Sequence, residues 1–322
     1  MHFDLTEADM KYCGIDLHSN NSVVVVSDVE DRIVLQRRLP NDLEQILSAL
    51  AAHQDELVGV VVESTYNWYW LVDGLMDAGY QVHLAQLLRL GLLPEGYIYP
   101  REQRAARDLA RKRIQLVRCR TAQILAIENL FARHTGKSMS SRTVKRMTTE
   151  QVDAIGLPAD VALAVKANLA ISDALQQQIA ILEKRLTECV KLRAEYLLLK
   201  TVPGIGETLA TTIMLETGTP TRFAEVGKFS SYCRCVDSAR QSNGKKKGEG
   251  NTRNGNAYLA WAFVEAANFT LRQCLPARRF YERKLRATNR FVALKAVAHK
   301  LARACYYMLR EQQPFDVNRC FV

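Results

Sequence analysis

The chain lacks the long apolar runs and the closely spaced cysteines that mark several classes of protein. It has no run of about 18 apolar residues, and residues 1–10 are polar and acidic where a signal peptide would be apolar. Its eight cysteines include no C-x-x-C, and their closest pair is Cys233 and Cys235. We therefore expect a soluble intracellular protein with free thiols and without a zinc site.

Basic residues are scarce in the first part of the chain and abundant afterwards. Residues 1–100 carry five Lys and Arg against fifteen Asp and Glu, whereas the remaining residues carry 39 basic and 19 acidic side chains. The 322 residues, 48% of them hydrophobic, are enough for two or three domains with cores of their own. An acidic front and a strongly basic rear favour nucleic acid, held by the rear two thirds, over an ordinary solvated basic surface.

The first hundred residues alternate between strand patterns and helix patterns. The strands are predicted at 12–28 (a hairpin), 32–39, 57–63 and 81–84, and the helices follow Asp42 and span 66–77. An order of three strands, helix, strand, helix and strand predicts an α/β domain of the RNase H type.

Two acidic residues lie where predicted strands end. Asp16 closes the first strand, which is how RNase H-like nucleases present their first metal ligand, and Glu63 closes the buried strand. Sugar kinases and actin-like ATPases begin similarly, but no Gly-rich phosphate loop with a second acidic motif follows here. His18 is predicted in a surface turn, and Trp68 and Trp70 in the core.

Two long helices are predicted in the middle of the chain, at 101–134 and 159–193. The first has a basic face that we expect to contact nucleic acid, formed by Arg104, Arg107 and Arg111 with Arg118. Arg113 and Arg120 fall within its apolar stripe, where they are expected to meet a partner helix's acids or a phosphate. The second helix carries a coiled-coil seam of Leu175, Ile179, Leu182 and Leu186. An antiparallel pair in cis, or dimerisation in trans, would bury both apolar stripes.

The rear third carries two patterns typical of contact with a phosphate backbone. Gly204 and Gly206 lie in Pro203-Gly204-Ile205-Gly206, which resembles a helix-hairpin-helix turn that offers amide N–H groups to DNA, although an ordinary tight turn has the same composition. A later segment is rich in Gly and Lys, and its expected phosphate contacts are Lys245, Lys246, Lys247 and Arg253. Ser242 lies among these cations and is a candidate nucleophile.

These motifs together resemble one family along nearly the whole chain. Gly14-Ile15-Asp16 and Val62-Glu63 resemble the RuvC-like half of certain insertion-sequence transposases, and Pro203-Gly204-Ile205-Gly206, Gln241-Ser242 and Asn254-Gly255-Asn256 resemble their C-terminal half. These are the bridge-RNA-guided DNA recombinases, which are relatives of the pilin-gene invertase.

The resemblance implies a chemistry and a set of partners. In that family four acidic residues hold divalent metal, and a serine becomes covalently joined to DNA. The corresponding residues here are Asp16 and Glu63 for Mg²⁺, and Ser242 for the nucleophile. The implied partners are DNA, a guide RNA from the protein's own element, and further copies of the chain joined through the coiled coil as a dimer or tetramer. The implied location is the bacterial cytoplasm, at the nucleoid.

The same resemblance divides the chain into three parts. They are a RuvC-like (RNase H-like) domain at 10–93, a coiled-coil helical pair at 101–195, and a mainly α C-terminal transposase domain with the helix-hairpin-helix and serine loop at 196–322.

One expected motif is missing. The family's third and fourth acids form a D-x-x-D pair after the last strand of the first domain, but residues 86–93 contain no Asp or Glu. The sequence therefore predicts a truncated first domain and an impaired enzyme. The alternative is a catalytically inactive DNA- or RNA-binding remnant that joins oligomers of intact relatives. A third interpretation is a Holliday-junction nuclease, which would use metal and acids without a serine. It is disfavoured because this chain retains only two of the acids.

Overall fold

The computed structural model describes residues 10–63, 67–84, 97–236, 239–242, 245–249 and 255–321. It divides into two compact units, Met1–Arg101 and Glu102–Val322. The described part of the first unit is an α/β domain and that of the second is mostly helical, which confirms the predicted fold class at this level. In these ranges no helix is both long and apolar enough to cross a bilayer. The finer division into three domains stays a prediction.

The first unit is a five-stranded sheet with two helices. Its strands lie in the order β3-β2-β1-β4-β5, with β1 antiparallel to β2 and parallel to β4. The elements are β1 (Lys11–Leu17), β2 (Asn21–Asp28), β3 (Ile33–Pro40), α1 (Leu43–Leu50), a 3-10 turn (Ala51–Glu56), β4 (Leu57–Val62), α2 (Tyr69–Asp77) and β5 (Val82–Leu84). Each bound lies within a few residues of the predicted one.

Strict alternation along β1 separates the core from the face that carries Asp16. Cys13, Ile15 and Leu17 are buried in a core that also takes residues from α1 and α2, whereas the residues between them are exposed. Successive side chains of a strand point to opposite faces, so Asp16 lies on the face opposite this core. Trp68 is buried in the same core, which confirms the packing role predicted for it.

The described part of the second unit is built from helices and one hairpin. Its elements are α3 (Arg101–Thr135), α4 (Ser141–Val144), α5 (Thr149–Ala154), α6 (Ala159–Val190), α7 (Ala194–Leu199), α8 (Glu207–Thr217), a 3-10 turn (Pro220–Arg222), α9 (Val226–Tyr232), β6 (Ala239–Ser242), β7 (Lys245–Glu249), α10 (Ala257–Gln273), α11 (Leu275–Ala287), α12 (Arg290–Glu311) and α13 (Val317–Phe321). The first residue of α3, Arg101, closes the first unit.

The two long helices α3 and α6 pack against each other in cis. Ile127, late in α3, shares a buried cluster with Val165, early in α6. Nearer the middle, Arg113 donates from Nε and Nη2 to Glu183 Oε1, at 2.9 and 2.5 Å. The helices therefore run antiparallel, and the expectation that Arg113 meets an acid of a partner helix is confirmed. Coiled-coil geometry itself stays a prediction.

Half of the predicted α6 seam is buried within the chain. Ile179 and Leu186 are buried, and Leu175 and Leu182 are half-buried. Because these residues already pack against the same chain, any contact between copies through α6 would need another face of the helix.

Several rear elements were absent from the sequence prediction, among them the helix α11 and the hairpin of β6 and β7. The helix α11 has five Arg and Lys among its 13 residues, so its apolar periodicity is weak, although Pro276 in its first turn is a typical start signal. The segment expected as a loop around Ser242 instead contains the antiparallel pair β6 and β7. Its polar composition hides the strands, because a segment without apolar alternation gives no strand signal in the sequence.

Candidate functional site

Asp16 and Glu63 are brought together by the register of two parallel strands. Ile15 in β1 is level with Val62 in β4, so the next residue on each strand is acidic. The Glu63 backbone N–H donates to Ile15 O at 2.9 Å and fixes this alignment. The side chain of Asp16 is 51% exposed, and Glu63 is half-buried. The predicted pair therefore forms a reachable site at the carboxyl ends of adjacent strands.

The two carboxyl groups interact directly. A side-chain hydrogen bond with Asp16, together with partial burial and the charge of Asp16, raises the pKa of Glu63, while the charge of His18 lowers it. His18 Nε2 lies 3.4 Å from Asp16 Oδ2, and its side chain is nearly half-exposed in a turn, as predicted. Two carboxylates that are close enough to share a proton are also close enough to share a cation.

The donor chemistry of this pair suits a hard divalent ion. Carboxylate oxygens are the ligands that Mg²⁺ prefers, completed by water and phosphate oxygens. Within the described ranges, no group of three or more His, Cys, Asp or Glu side chains gathers in a way that could hold a metal. Residues 86–93, where the family's D-x-x-D pair was expected, lie outside the described residues. What the structure supplies is therefore a two-carboxylate site at Asp16 and Glu63.

Ser242 is the last residue of β6. The hairpin register pairs Ser242 with Lys245 and Gln241 with Lys246, so the candidate nucleophile is level with a predicted phosphate-binding lysine. The backbone of the two strands is described, but the side chains of this hairpin are not, and Arg253 lies outside the described residues. The roles of Ser242, the three lysines and Arg253 stay predictions.

A buried carboxylate that the sequence analysis missed lies beside the base of this hairpin segment. Glu216, at the end of α8, is 1% exposed. Arg111 donates from Nε and Nη2 to its two oxygens at 2.5 and 2.7 Å, and Asn256 Nδ2 donates to Oε2 at 2.7 Å. Burial opposes the charge of Arg111, but the hydrogen bonds and charge of Glu216 outweigh it and raise the pKa of Arg111.

Asn256 also fixes the start of α10. Its Oδ1 accepts from the backbone N–H groups of Tyr258 and Leu259 at 2.9 and 3.0 Å, which caps the helix. Its backbone N–H donates to Tyr232 O at 2.6 Å, which ties the return of the hairpin segment to α9. The cap was visible in the sequence as an Asn before an apolar helix, whereas its bond to Glu216 depends on packing alone.

The basic face predicted on α3 is less exposed than expected. Arg104 and Arg107 are buried, and Arg111 is bound to Glu216. The 3.6-residue period separates faces of a helix correctly, but it cannot tell which face another element will cover. Nucleic-acid contact by these three arginines stays a prediction, and for Arg111 the structure provides a structural role.

Gly204 and Gly206 have different surroundings. Gly204 has a φ of +93°, and a Cβ there would lie 2.4 Å from the Thr270 backbone N, so the turn between α7 and α8 approaches α10 as closely as glycine allows. Thr270 Oγ1 donates to Pro203 O at 2.6 Å across this contact. A Cβ at Gly206 would meet nothing within 4 Å. Of the two, Gly206 has the open position that a bound phosphate would need.

The cysteines do not offer a competing nucleophile in the core. All eight are free, as predicted, and burial raises the pKa of the Cys13 and Cys235 thiols to about 12. A thiol reacts through its thiolate, so these groups are inert near neutral pH.

Two family models match the chain. One, an IS110-type DEDD domain described as Transposase, matches residues 13–90, which include Asp16 and Glu63. The other, described as Transposase IS116/IS110/IS902 family, matches residues 196–282, which include the Gly204 turn and Ser242. No curated protein matches the chain.

Proposed function

We propose that this chain cuts and rejoins DNA through a covalent bond between DNA and Ser242. Both matched domains are those of insertion-sequence transposases of the IS116/IS110/IS902 type, and they support a transposase that acts on DNA. The observation that carries the proposal is the Asp16–Glu63 pair at the ends of adjacent parallel strands. It supports metal assistance at a scissile phosphate, and Ser242 is supported by its place beside lysine positions in the hairpin.

The proposed reaction is a pair of phosphoryl transfers. Ser242 Oγ loses its proton and bonds to a DNA phosphorus, one P–O bond of the strand breaks, and the departing DNA oxygen takes up a proton. A hydroxyl of a second DNA end then attacks the phosphoserine, which releases Ser242 and rejoins the strand. A divalent ion bound by Asp16 and Glu63 would supply a Lewis acid for the phosphate oxygens. Lys245, Lys246, Lys247 and Arg253 would hold the DNA backbone and offset its charge.

Guidance by a structured RNA and assembly of several copies belong to the same proposal. The basic rear of the chain supports a nucleic-acid partner but does not distinguish RNA from DNA. The guide RNA is proposed on the family resemblance.

We further propose that activity is impaired. Two acids hold fewer metal ions than four, and loss of electrostatic groups of this kind costs about 10²–10³-fold in rate for each group. The absence of acids at 86–93 also supports the second candidate, a binding-competent remnant without catalysis. A variant in which this segment carries a D-x-x-D pair should cleave DNA faster, and no gain would contradict impairment by the missing acids.

A covalent-adduct assay tests the function. The purified protein is incubated with its element's RNA, donor DNA and Mg²⁺ and then run on a denaturing gel beside Ser242→Ala and the matched control Ser138→Ala, which alters an exposed serine elsewhere. An adduct formed by the wild type and the control but not by Ser242→Ala is expected. Nucleic-acid binding in a gel shift without any adduct would instead favour the remnant.

A further inference from the structure

The helix α11 carries three arginines on one exposed face that none of the sequence motifs includes. Arg279, Arg283 and Arg286 are exposed and follow each other at spacings of four and three residues, which places them side by side on the helix. None of the three forms an ion pair with a described residue. Like charges at these spacings repel each other and destabilise an isolated helix, and with Glu282 as the one acid of α11 the face keeps a net positive charge in the free protein.

A second group of cations surrounds the ring of Phe280 next to this face. The charged groups of Arg283, Lys284 and Lys300 lie 5.5, 6.0 and 5.5 Å from the ring centroid, the last one reaching over from α12. Each cation is attracted by the ring, but the three repel one another. A polyanion would relieve that repulsion.

The positive charge continues along α12. Burial, followed by the charges of Arg303 and Lys300, lowers the pKa of His299. The one acid on α11, Glu282, is exposed and makes no ion pair with a described residue. Positive charge therefore prevails on this side of the two helices.

The start of α12 adds an exposed aromatic side chain. Phe291 is 82% exposed and directly follows Arg290. The first free amides of α12 are already taken, because Asn289 Oδ1 accepts from the N–H groups of Phe291 and Val292 at 3.0 Å each. An anion at this surface would consequently meet arginine and lysine side chains rather than the end of the helix.

We infer that Arg279, Arg283 and Arg286, together with Lys284 and Lys300, form a binding face for the phosphodiester backbone of a DNA duplex. From the first arginine to the last, the helix rises about 10 Å, which is the axial length of about three phosphates along one strand. Binding here is independent of base sequence, because every contact is to the backbone. The inference rests on the proposed function for the presence of a nucleic acid and adds a surface to it.

The salt dependence of binding tests this face. The variant Arg279→Gln/Arg283→Gln/Arg286→Gln in the full chain is titrated by fluorescence anisotropy with a DNA duplex of about 20 base pairs and with an RNA hairpin of equal length, over a series of salt concentrations. Each lost phosphate contact lowers the slope of log K against log salt by about 0.9 on duplex DNA, so a drop of about 2 to 3 is expected with the DNA probe. A drop on DNA supports the inference, whereas a drop on RNA alone would assign the face to RNA and contradict it.

Two control variants separate a local contact from a loss of net charge or of folding. Lys137→Gln/Arg142→Gln/Arg146→Gln removes the same charge from exposed positions elsewhere and should leave the slope near that of the wild type. The variant Arg279→Lys/Arg283→Lys/Arg286→Lys keeps the charge and should keep most of the slope of log K against log salt. An unchanged slope on the DNA probe, or an equal drop in the first control, would overturn the inference. Ser242→Ala should bind with the full slope, so failure of catalysis and failure of this face are distinguishable.

Discussion

At the scale of single residues, the structure turns a pattern of strand ends into a specific pair. Asp16 was predicted from its place at the end of a strand and Glu63 from the family resemblance, and the parallel register makes them neighbours. Their hydrogen bond raises the pKa of Glu63. At a pH between the ordinary and the raised pKa, the folded state therefore holds a proton that the unfolded chain releases. That difference makes the pair sensitive both to pH and to cations.

Replacement of Glu63 by Gln should remove the part of the protein's response to pH and to metal that depends on this carboxyl group. When the pKa of a carboxyl group is raised by folding, the protein loses stability as the pH rises from the unfolded pKa, about 4.3 for Glu, through the folded pKa. In metal-free buffer near pH 8, the melting temperature of Glu63→Gln should therefore be equal to or higher than that of the wild type. Near pH 4 this difference in melting temperature should vanish. Added Mg²⁺ should stabilise only the wild type, by about 1.4 kcal/mol at ten times its Kd.

Differential scanning fluorimetry with chelator or with Mg²⁺ measures this response. Asp16→Asn should behave as Glu63→Gln does, whereas Glu44→Gln, which alters an exposed acid of α1, should respond to Mg²⁺ like the wild type. Equal stabilisation of wild type and Glu63→Gln by Mg²⁺ would argue against metal binding at this pair.

At the scale of secondary-structure elements, one buried ion pair connects three helices. Arg111 on α3 binds Glu216 on α8, Asn256 at the start of α10 binds the same carboxylate, and the Arg111 guanidinium lies 4.7 Å from the Tyr258 ring centroid. These contacts hold the end of the segment that contains the serine hairpin. They make Arg111 part of the framework of the second unit.

Removal of one member of this pair should destabilise the protein more than removal of both. Glu216→Ala leaves a half-buried guanidinium and an amide without their acceptor, at a cost of about 3–5 kcal/mol, whereas Arg111→Met/Glu216→Leu should recover much of it. Chemical denaturation of Arg111→Met, Glu216→Leu and the double variant gives the coupling energy. The exposed pair Arg185 and Glu188 serves as control, with an expected coupling of at most about 1 kcal/mol.

The same variants decide whether Arg111 also contacts nucleic acid. If Arg111 is structural, Arg111→Met/Glu216→Leu should bind DNA with the salt slope of the wild type. A fall of about 0.9 in that slope would instead show a phosphate contact at Arg111. A coupling energy near zero would contradict the structural role.

At the scale of the whole molecule, α6 has an apolar stripe that its own chain leaves exposed. Leu163 and Ile181 are 68% and 59% exposed and lie 18 residues apart, which is five full helical turns, so they share one face. Three exposed alanines lie between them on this face, at 167, 170 and 174. This stripe supports the proposal that copies of the chain associate through α6.

Charged substitutions in this stripe should separate the copies. Leu163→Asp/Ile181→Asp should lower the mass of the particle to that of one chain, because burial of two carboxylates between helices is unfavourable. Light scattering coupled to size-exclusion chromatography measures the mass, and Leu192→Asp, an exposed leucine beyond the end of α6, should leave it unchanged. A wild type that is already monomeric would refute association through this face.

Prediction from sequence succeeded where a signal is local and failed where it is distant. The strand ends at Asp16 and Glu63 and the cap at Asp42 follow from neighbouring residues, and the structure has them. The bond from Arg111 to Glu216 joins residues 105 positions apart, and no spacing rule reaches that far. Arg104 and Arg107 were assigned to an open face for the same reason.

The sequence by itself determined the order of strands and helices, the place of two acids at strand ends, and the contrast between an acidic front and a basic rear. These depend on residue type and short-range periodicity, which act before any tertiary contact forms. Only the tertiary structure decided which basic side chains are available. It bound Arg111 to Glu216 and left Arg279, Arg283 and Arg286 open, because burial is set by what packs against a helix and not by the spacing along it.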